Sequence, residues 1–202
     1  IPFEHIGKGE QCVIKTYLSF TNQSTKNKGI IMIEEPECHL AYGNLNKLLS
    51  FIKTKLSEFQ VIITTHSSFV LNKLGLNNLL LISYSNCISF EDISDDTTAF
   101  FEKKSGYDTL RFLLCDKSIL VEGDSDELII QRAYKDIYNK MPIDDGIDII
   151  SVGLSFLRFL EIAKQLKLTT CIVTDNDGNI EALKEKYKDY CDVPNIDICY
   201  SK

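Results

Sequence analysis

Two short stretches hold carboxylates where a β-strand would deliver them. Residues 117–130 read K-S-I-L-V-E-G-D-S-D-E-L-I-I, an apolar β-prone run (residues 119–121) opening into Glu122, Asp124, Asp126 and Glu127. Residues 170–179 read T-C-I-V-T-D-N-D-G-N, a second such run ending in Asp175 and Asp177. Part of the first cluster has a plain structural explanation. Gly123 permits a tight turn, Asp124 or Ser125 can cap a following helix, and acids in a first helical turn gain ~0.3–1 kcal/mol each from the macrodipole. Glu122, on the strand side of the turn, is left over. If both runs lie in one parallel sheet, their carboxyl ends open on one edge and Glu122 converges with the Asp pair. Converging carboxylates repel unless a cation neutralises them, and oxygen-only donors favour Mg²⁺ or Mn²⁺ over zinc. Such a cation activates water for hydrolysis.

The elements that must position these groups follow from apolar periodicity. Short buried-strand patterns occur at residues 30–33, 61–64, 79–83, 119–121, 147–150, 171–174 and 196–199. Helical stripes lie between them: Val13, Ile14, Tyr17 and Leu18; Leu128, Ile129, Ala133 and Ile137; Phe156, Phe159, Leu160 and Ala163. Strands alternating with helices predict an α/β fold, with a mostly parallel sheet covered on both faces. The alternation falters between Tyr84 and Asp116, where residues 85–105 are polar. The reading therefore places one α/β piece at 1–104, a linker helix at 105–116 and a second piece at 117–202.

The first piece has its own chemistry. Residues 29–40, G-I-I-M-I-E-E-P-E-C-H-L, put adjacent acids at a strand end. There one carboxylate can hold Mg²⁺ through water and the next can orient or deprotonate an attacking water. Upstream, I-G-K-G-E-Q (6–11) is a Gly-rich turn opening a helix, whose N–H groups can cradle a phosphate. Downstream, Q-V-I-I-T-T-H-S-S (60–68) is a strand that delivers His66 to the edge where α/β sheets bind ligands. Read in this order, residues 5–75 resemble the C-terminal half of an ABC-type ATPase head of the SMC and Rad50 group. The resemblance implies Gly7–Gln11, with Gly7, Gly9 and Glu10, as the signature loop on a γ-phosphate held by a partner subunit. It also implies Glu34 as the Walker B acid, Glu35 as the hydrolytic carboxylate, Pro36–Leu40 as the D-loop and His66 as the switch histidine. Gly7 replaces the usual Ser and Glu34 the usual Asp. No G-x-x-x-x-G-K-[S/T] occurs, so the P-loop that binds ATP with Mg²⁺ is expected upstream of Ile1; the chain, opening without Met, reads as an excerpt.

The second piece, strand-E-G-x-x-D followed by strand-D-x-D, resembles the Toprim domain of topoisomerases, primases and some nucleases. That resemblance implies Glu122 as metal ligand or general acid/base, Asp175 and Asp177 as Mg²⁺ ligands, and Asp126 as the second acid of nuclease-type sites. Residues 151–159, S-V-G-L-S-F-L-R-F, fit the family's Gly-containing turn into a helix, with Leu154 where a second Gly is common. An ABC head joined directly to Toprim resembles the OLD (overcoming lysogenisation defect) family, which includes nuclease subunits of Gabija and some retron anti-phage systems. The implied function is an ATP-regulated, Mg²⁺-dependent DNA endonuclease. Its implied partners are DNA, a second copy joined through the ATPase heads, and a defence-system protein or nucleic acid. The alternative is an SMC-like ATP-driven DNA clamp with a non-catalytic Toprim binding module.

Bulk properties set outer bounds. With 202 residues, 44% hydrophobic and 25% charged, the composition is that of one large or two small globular domains. A net charge of −7 argues against a broad basic nucleic-acid surface, although metal-neutralised acids do not count as free charge. Seven scattered cysteines without C-x-x-C predict reduced, buried thiols in a cytoplasmic protein. No apolar run approaches a membrane span.

Overall fold

Leu45, Leu48, Leu49 and Ile52 recur at helical spacing and must share one buried face. A computed structural model describes residues 2–21, 29–38, 40–55, 59–83, 86–90, 93–103, 109–176 and 178–200. It divides into two compact units, Ile1–Leu74 and Gly75–Lys202.

In the first unit, α1 (Lys8–Thr21), β1 (Ile30–Glu34), α2 (Tyr42–Lys55), β2 (Gln60–Thr64) and α3 (Ser68–Leu74) follow one another. β1 and β2 pair in parallel, Ile30 opposite Gln60 through Glu34 opposite Thr64. The α2 stripe and Val70 form the core, against which Ile31, Ile33, Val61 and Ile63 pack from one sheet face. Tyr17 of α1 stacks on Phe51 of α2, ring centroids 4.4 Å apart. The other sheet face carries Ile30, Met32 and Ile62 exposed, Met32 at 78%. The expectation of cover on both faces is thus met on one face only among the described residues.

The second unit begins with β3 (Leu80–Ser83) and β4 (Asn86–Ser89), which pair antiparallel. This hairpin is the antiparallel exception to the mostly parallel pairing expected, and only residues 84–85 separate its strands. A two-residue link can close an antiparallel hairpin and cannot cross over to a parallel neighbour. Then come α4 (Asp95–Lys103), α5 (Thr109–Leu114), β5 (Lys117–Val121), α6 (Asp124–Tyr138), β6 (Ile147–Ser151), α7 (Phe156–Leu166), β7 (Thr169–Thr174), α8 (Ile180–Tyr187) and β8 (Ile196–Tyr200). The last four strands form a wholly parallel sheet in the order β6-β5-β7-β8.

Residues 75–103 pack with the second unit, not the first as the boundary at 104 had it. Helix-start chemistry explains this. The Glu161 carboxylate on α7 accepts Ser94 N–H (2.6 Å) and Ser94 Oγ–H (3.0 Å), and bonds the Thr97 hydroxyl. It thereby seats the start of α4 on α7. Phe159 of α7 meets Phe101 of α4 and Phe112 of α5 edge-on at 5.1 and 5.2 Å, all three rings fully buried. The expected linker helix at 105–116 is therefore a core element: α5 buries Phe112 and Leu113. Arg111 ties it to β6 through Asp148 (2.7 Å) and the Ile149 carbonyl (3.1 Å).

α7 buries its expected stripe, Phe156, Phe159, Leu160 and Ala163. α6 does not. Leu128, Ile129, Ala133 and Ile137 are exposed, Leu128 at 65%. The half-buried face instead carries Glu127, Ile130, Gln131 and Tyr134, also at helical spacing. Polar partners outside the helix select it: Arg111 lies 3.8 Å from Glu127, and Tyr134 bonds Asp145. Replacing Phe159 with Ala removes the ring that joins α4, α5 and α7, and should lower unfolding free energy by about 3–5 kcal/mol in chemical denaturation.

Candidate functional site

The strand order of the second sheet fixes where its site must be. β6 lies on one side of β5 and β7 on the other, so the order reverses between β5 and β7, and ligands bind outside the carboxyl ends at such a point. Glu122 follows β5 there, and Asp175 follows β7. The ends are bonded together: Thr174 Oγ1 donates to Glu122 Oε1 at 2.9 Å. On the β6 side, Gly153 N–H (3.0 Å) and Ser151 Oγ–H (3.3 Å) donate to the Glu122 carbonyl, and Val152 N–H donates to the Val121 carbonyl (2.9 Å). Gly153 sits at φ 59°, in the left-handed region that glycine tolerates without strain. Glu122 is thus held by its carboxylate from one neighbour and by its backbone from the other. Its second oxygen accepts no hydrogen bond among the described residues.

The remaining acids divide by role. The helix cap is Gly123, not Asp124 or Ser125; Asp126 Oδ2 reaches back to the Gly123 N–H at 3.0 Å. This bond shapes the turn that presents Glu122. Glu127 faces Arg111 and Gln131. The loop after β7 is built from its own sequence. Asn176 Oδ1 accepts Gly178 N–H at 2.7 Å, Gly178 takes φ 76°, and Asn179 caps α8 by accepting Ala182 N–H at 3.0 Å. Asp175 is exposed at the start of this loop, and Asp177 lies outside the described residues. Among the described residues no group of three or more His, Cys, Asp or Glu side chains is clustered to hold a metal ion. Glu122 and Asp175 are a hard-oxygen pair, fitting in type for Mg²⁺ or Mn²⁺, for which Asp177 would be the third donor.

In the first unit the structure brings Glu35 and His66 together, Nε2 to Oε1 at 3.4 Å. Glu35 turns the chain out of β1 in the left-handed region, φ 41°, its N–H bonded to the Thr64 carbonyl at 2.9 Å. A non-glycine residue held there costs about 1–3 kcal/mol, a kind of strain that gathers at functional sites. Cys38 donates to Glu35 Oε2 at 3.1 Å. Glu34 is exposed on the face of Ile30 and Met32. Gly7, Gly9 and Glu10 line a cleft of about 400 Å³ with Lys8, Leu40, Ala41 and Asn44, which neither Glu35 nor His66 lines. Gln11 closes that turn by donating to the Ile6 carbonyl at 2.7 Å.

Sequence reasoning missed Thr174 and Glu37. The latter accepts Thr65 Oγ1–H at 2.7 Å and His66 N–H at 2.9 Å. Both stood inside stretches already recognised, but nothing local marks a hydroxyl or carboxylate that bonds across strands. The cysteines are free among the described residues but not buried as expected. Cys38, Cys87, Cys191 and Cys199 are exposed, while Cys115 and Cys171 are half-buried, their thiols pushed by desolvation up to about 11 and about 12. No described helix is long and apolar enough to cross a membrane. If the Thr174–Glu122 bond joins the two strand ends, Thr174→Val should lower unfolding free energy by ~1 kcal/mol and Thr174→Ser should retain it, measured by urea denaturation.

Comparison with known families agrees with this division. Residues 113–177 match the overcoming lysogenization defect protein-like TOPRIM domain, which spans β5 to β7 and both acidic strand ends. Residues 12–71 match an AAA ATPase domain, which includes Glu34, Glu35 and His66. No curated protein matches the chain. An ATPase-like segment carrying a paired Glu35 and His66, followed by an OLD-like Toprim segment whose Glu122 is bonded across the sheet's switch point, is consistent with the arrangement of an ATPase–Toprim protein of the OLD family.

Proposed function

We propose that the chain works as an ATP-regulated, divalent-metal-dependent endonuclease that hydrolyses DNA phosphodiester bonds, in anti-phage defence in the cytoplasm. The observation that carries this reading is the bond between Thr174 and Glu122, which ties a carboxylate to the strand end that also presents Asp175. Glu122, Asp175 and Asp177 would hold Mg²⁺ or Mn²⁺, with Asp126 contributing the oxygen not taken by Gly123. A cation bound there supplies a lowered water pKa and neutralises charge on the scissile phosphate. The chain's own part is to hold Glu122 still: with one oxygen fixed by Thr174, the other is left to orient water or accept its proton. ATPase chemistry would gate cutting, with the 6–11 turn facing nucleotide held by a second copy and Glu34 supporting Mg²⁺. Glu35 would orient the attacking water and His66 would meet the γ-phosphate.

Two measurements on the full-length protein test the two halves. Asp175→Ala combined with Asp177→Ala should abolish cleavage of plasmid DNA in Mg²⁺ or Mn²⁺ while leaving ATP turnover intact. Cleavage at the wild-type rate sinks the nuclease assignment. Intact plasmid retained in tight complexes by both wild type and variant would mark a clamp instead. Separately, Glu35→Gln should suppress ATP hydrolysis without loss of ATP binding, followed by phosphate release and by fluorescent-nucleotide titration.

A further inference from the structure

We propose that Glu37 is the positioning residue of the Glu35–His66 pair, latching the loop that carries His66 onto the turn that carries Glu35. This rests on the reading of Glu35 and His66 as the hydrolytic pair. The difficulty that pair presents is exposure. The His66 side chain is 81% exposed and that of Glu35 is 41% exposed, so packing does not fix their 3.4 Å approach. An exposed imidazole goes where its backbone puts it, and the His66 backbone N–H is held by Glu37 Oε1 at 2.9 Å.

The same oxygen accepts a hydrogen bond from the Thr65 hydroxyl at 2.7 Å. Thr65 Oγ1 in turn accepts Ser67 N–H at 3.0 Å, and Ser67 Oγ accepts Val70 N–H at 3.4 Å in the first turn of α3. One carboxylate therefore governs the whole connection from β2 to α3. Glu37 itself belongs to the β1 exit, inside the turn closed by Cys38 N–H on the Glu35 carbonyl at 2.9 Å. The left-handed backbone at Glu35 and the His66 loop are thus two ends of one hydrogen-bonded frame, with Glu37 between them. Glu37 Oε2 is buried and has no hydrogen-bond partner among the described residues. A carboxylate half-used and half-buried is a poor choice for stability alone, since desolvating charge is costly. What the charge adds is strength and direction in the two bonds it accepts.

The test uses the full-length protein and three variants, Glu37→Ala, Glu37→Gln and Thr65→Val, with amide hydrogen exchange at His66, ATP hydrolysis kinetics and Tm followed together. Glu37→Ala should speed exchange at His66 and lower kcat by about 10- to 100-fold, the factor corresponding to a lost hydrogen bond to a charged group, with KM for ATP nearly unchanged. Glu37→Gln keeps an acceptor and should restore most of kcat. Thr65→Val preserves side-chain shape, removes one donor and should fall between. If Glu37→Ala does not fold, the Gln and Val variants still rank the latch. Unchanged His66 exchange, or a kcat loss matched by Tm and not rescued by Gln, overturns the proposal. A wild-type protein that turns over no ATP overturns the hydrolytic reading itself, and His66 exchange then separately judges the latch.

Discussion

Thr174 and Glu122 meet across the line where the strand order of the second sheet reverses, and this bond orders everything around it. A carboxylate beyond the end of a strand would otherwise sample several rotamers in water. Here its side chain is held from β7 and its carbonyl from the turn after β6. The strap works only if β6, β5 and β7 keep their parallel register, and that depends on the layer beneath. Phe159 joins α7 to α4 and α5 through buried ring contacts, and Arg111 fastens α5 to β6. A chain of packing therefore runs from the aromatic core to the position of one carboxyl group.

The first unit uses the same device on a smaller sheet. Two parallel strands end side by side, the first exits through acids, and the residues after the second bond back to them. In both units a threonine hydroxyl supplied by the neighbouring strand end is donated to a glutamate: Thr174 to Glu122, and Thr65 to Glu37. The chemistry is general. Parallel strands bring their carboxyl ends to one edge, where backbone pairing stops and side chains must complete the hydrogen bonding. A hydroxyl is a compact donor for that purpose.

Several sequence expectations gave way to tertiary constraints. The apolar stripe of α6 faces out because Glu127 and Tyr134 on the other side meet Arg111 and Asp145 of neighbouring elements. The hydrophobic term is non-directional and is offset here by polar groups with fixed partners. The boundary moved to Leu74/Gly75 because Glu161, on an element distant in sequence, receives the start of α4. Cysteines expected in the core are largely at the surface, since residue type sets only a tendency to burial.

The strands were legible because period-two and continuous apolar runs report local backbone state, and all seven expected strand runs coincide with strands. The acidic strand ends and His66 were legible because a carboxylate directly after an apolar run is a local signal, as was the D-N-D-G-N turn. Local sequence thus determined those elements and which acids stand at their ends, but not β4 or α4, which form in the polar stretch 85–105 that carried no apolar period. Tertiary structure alone decided that β3 turns back on β4, that Glu35 adopts a left-handed backbone, and that Thr174 and Glu37 reach across to their partners. The physical reason is range. Periodicity and turn chemistry act within a few residues, whereas a hydrogen bond between strand ends requires the crossover between them to be in place first.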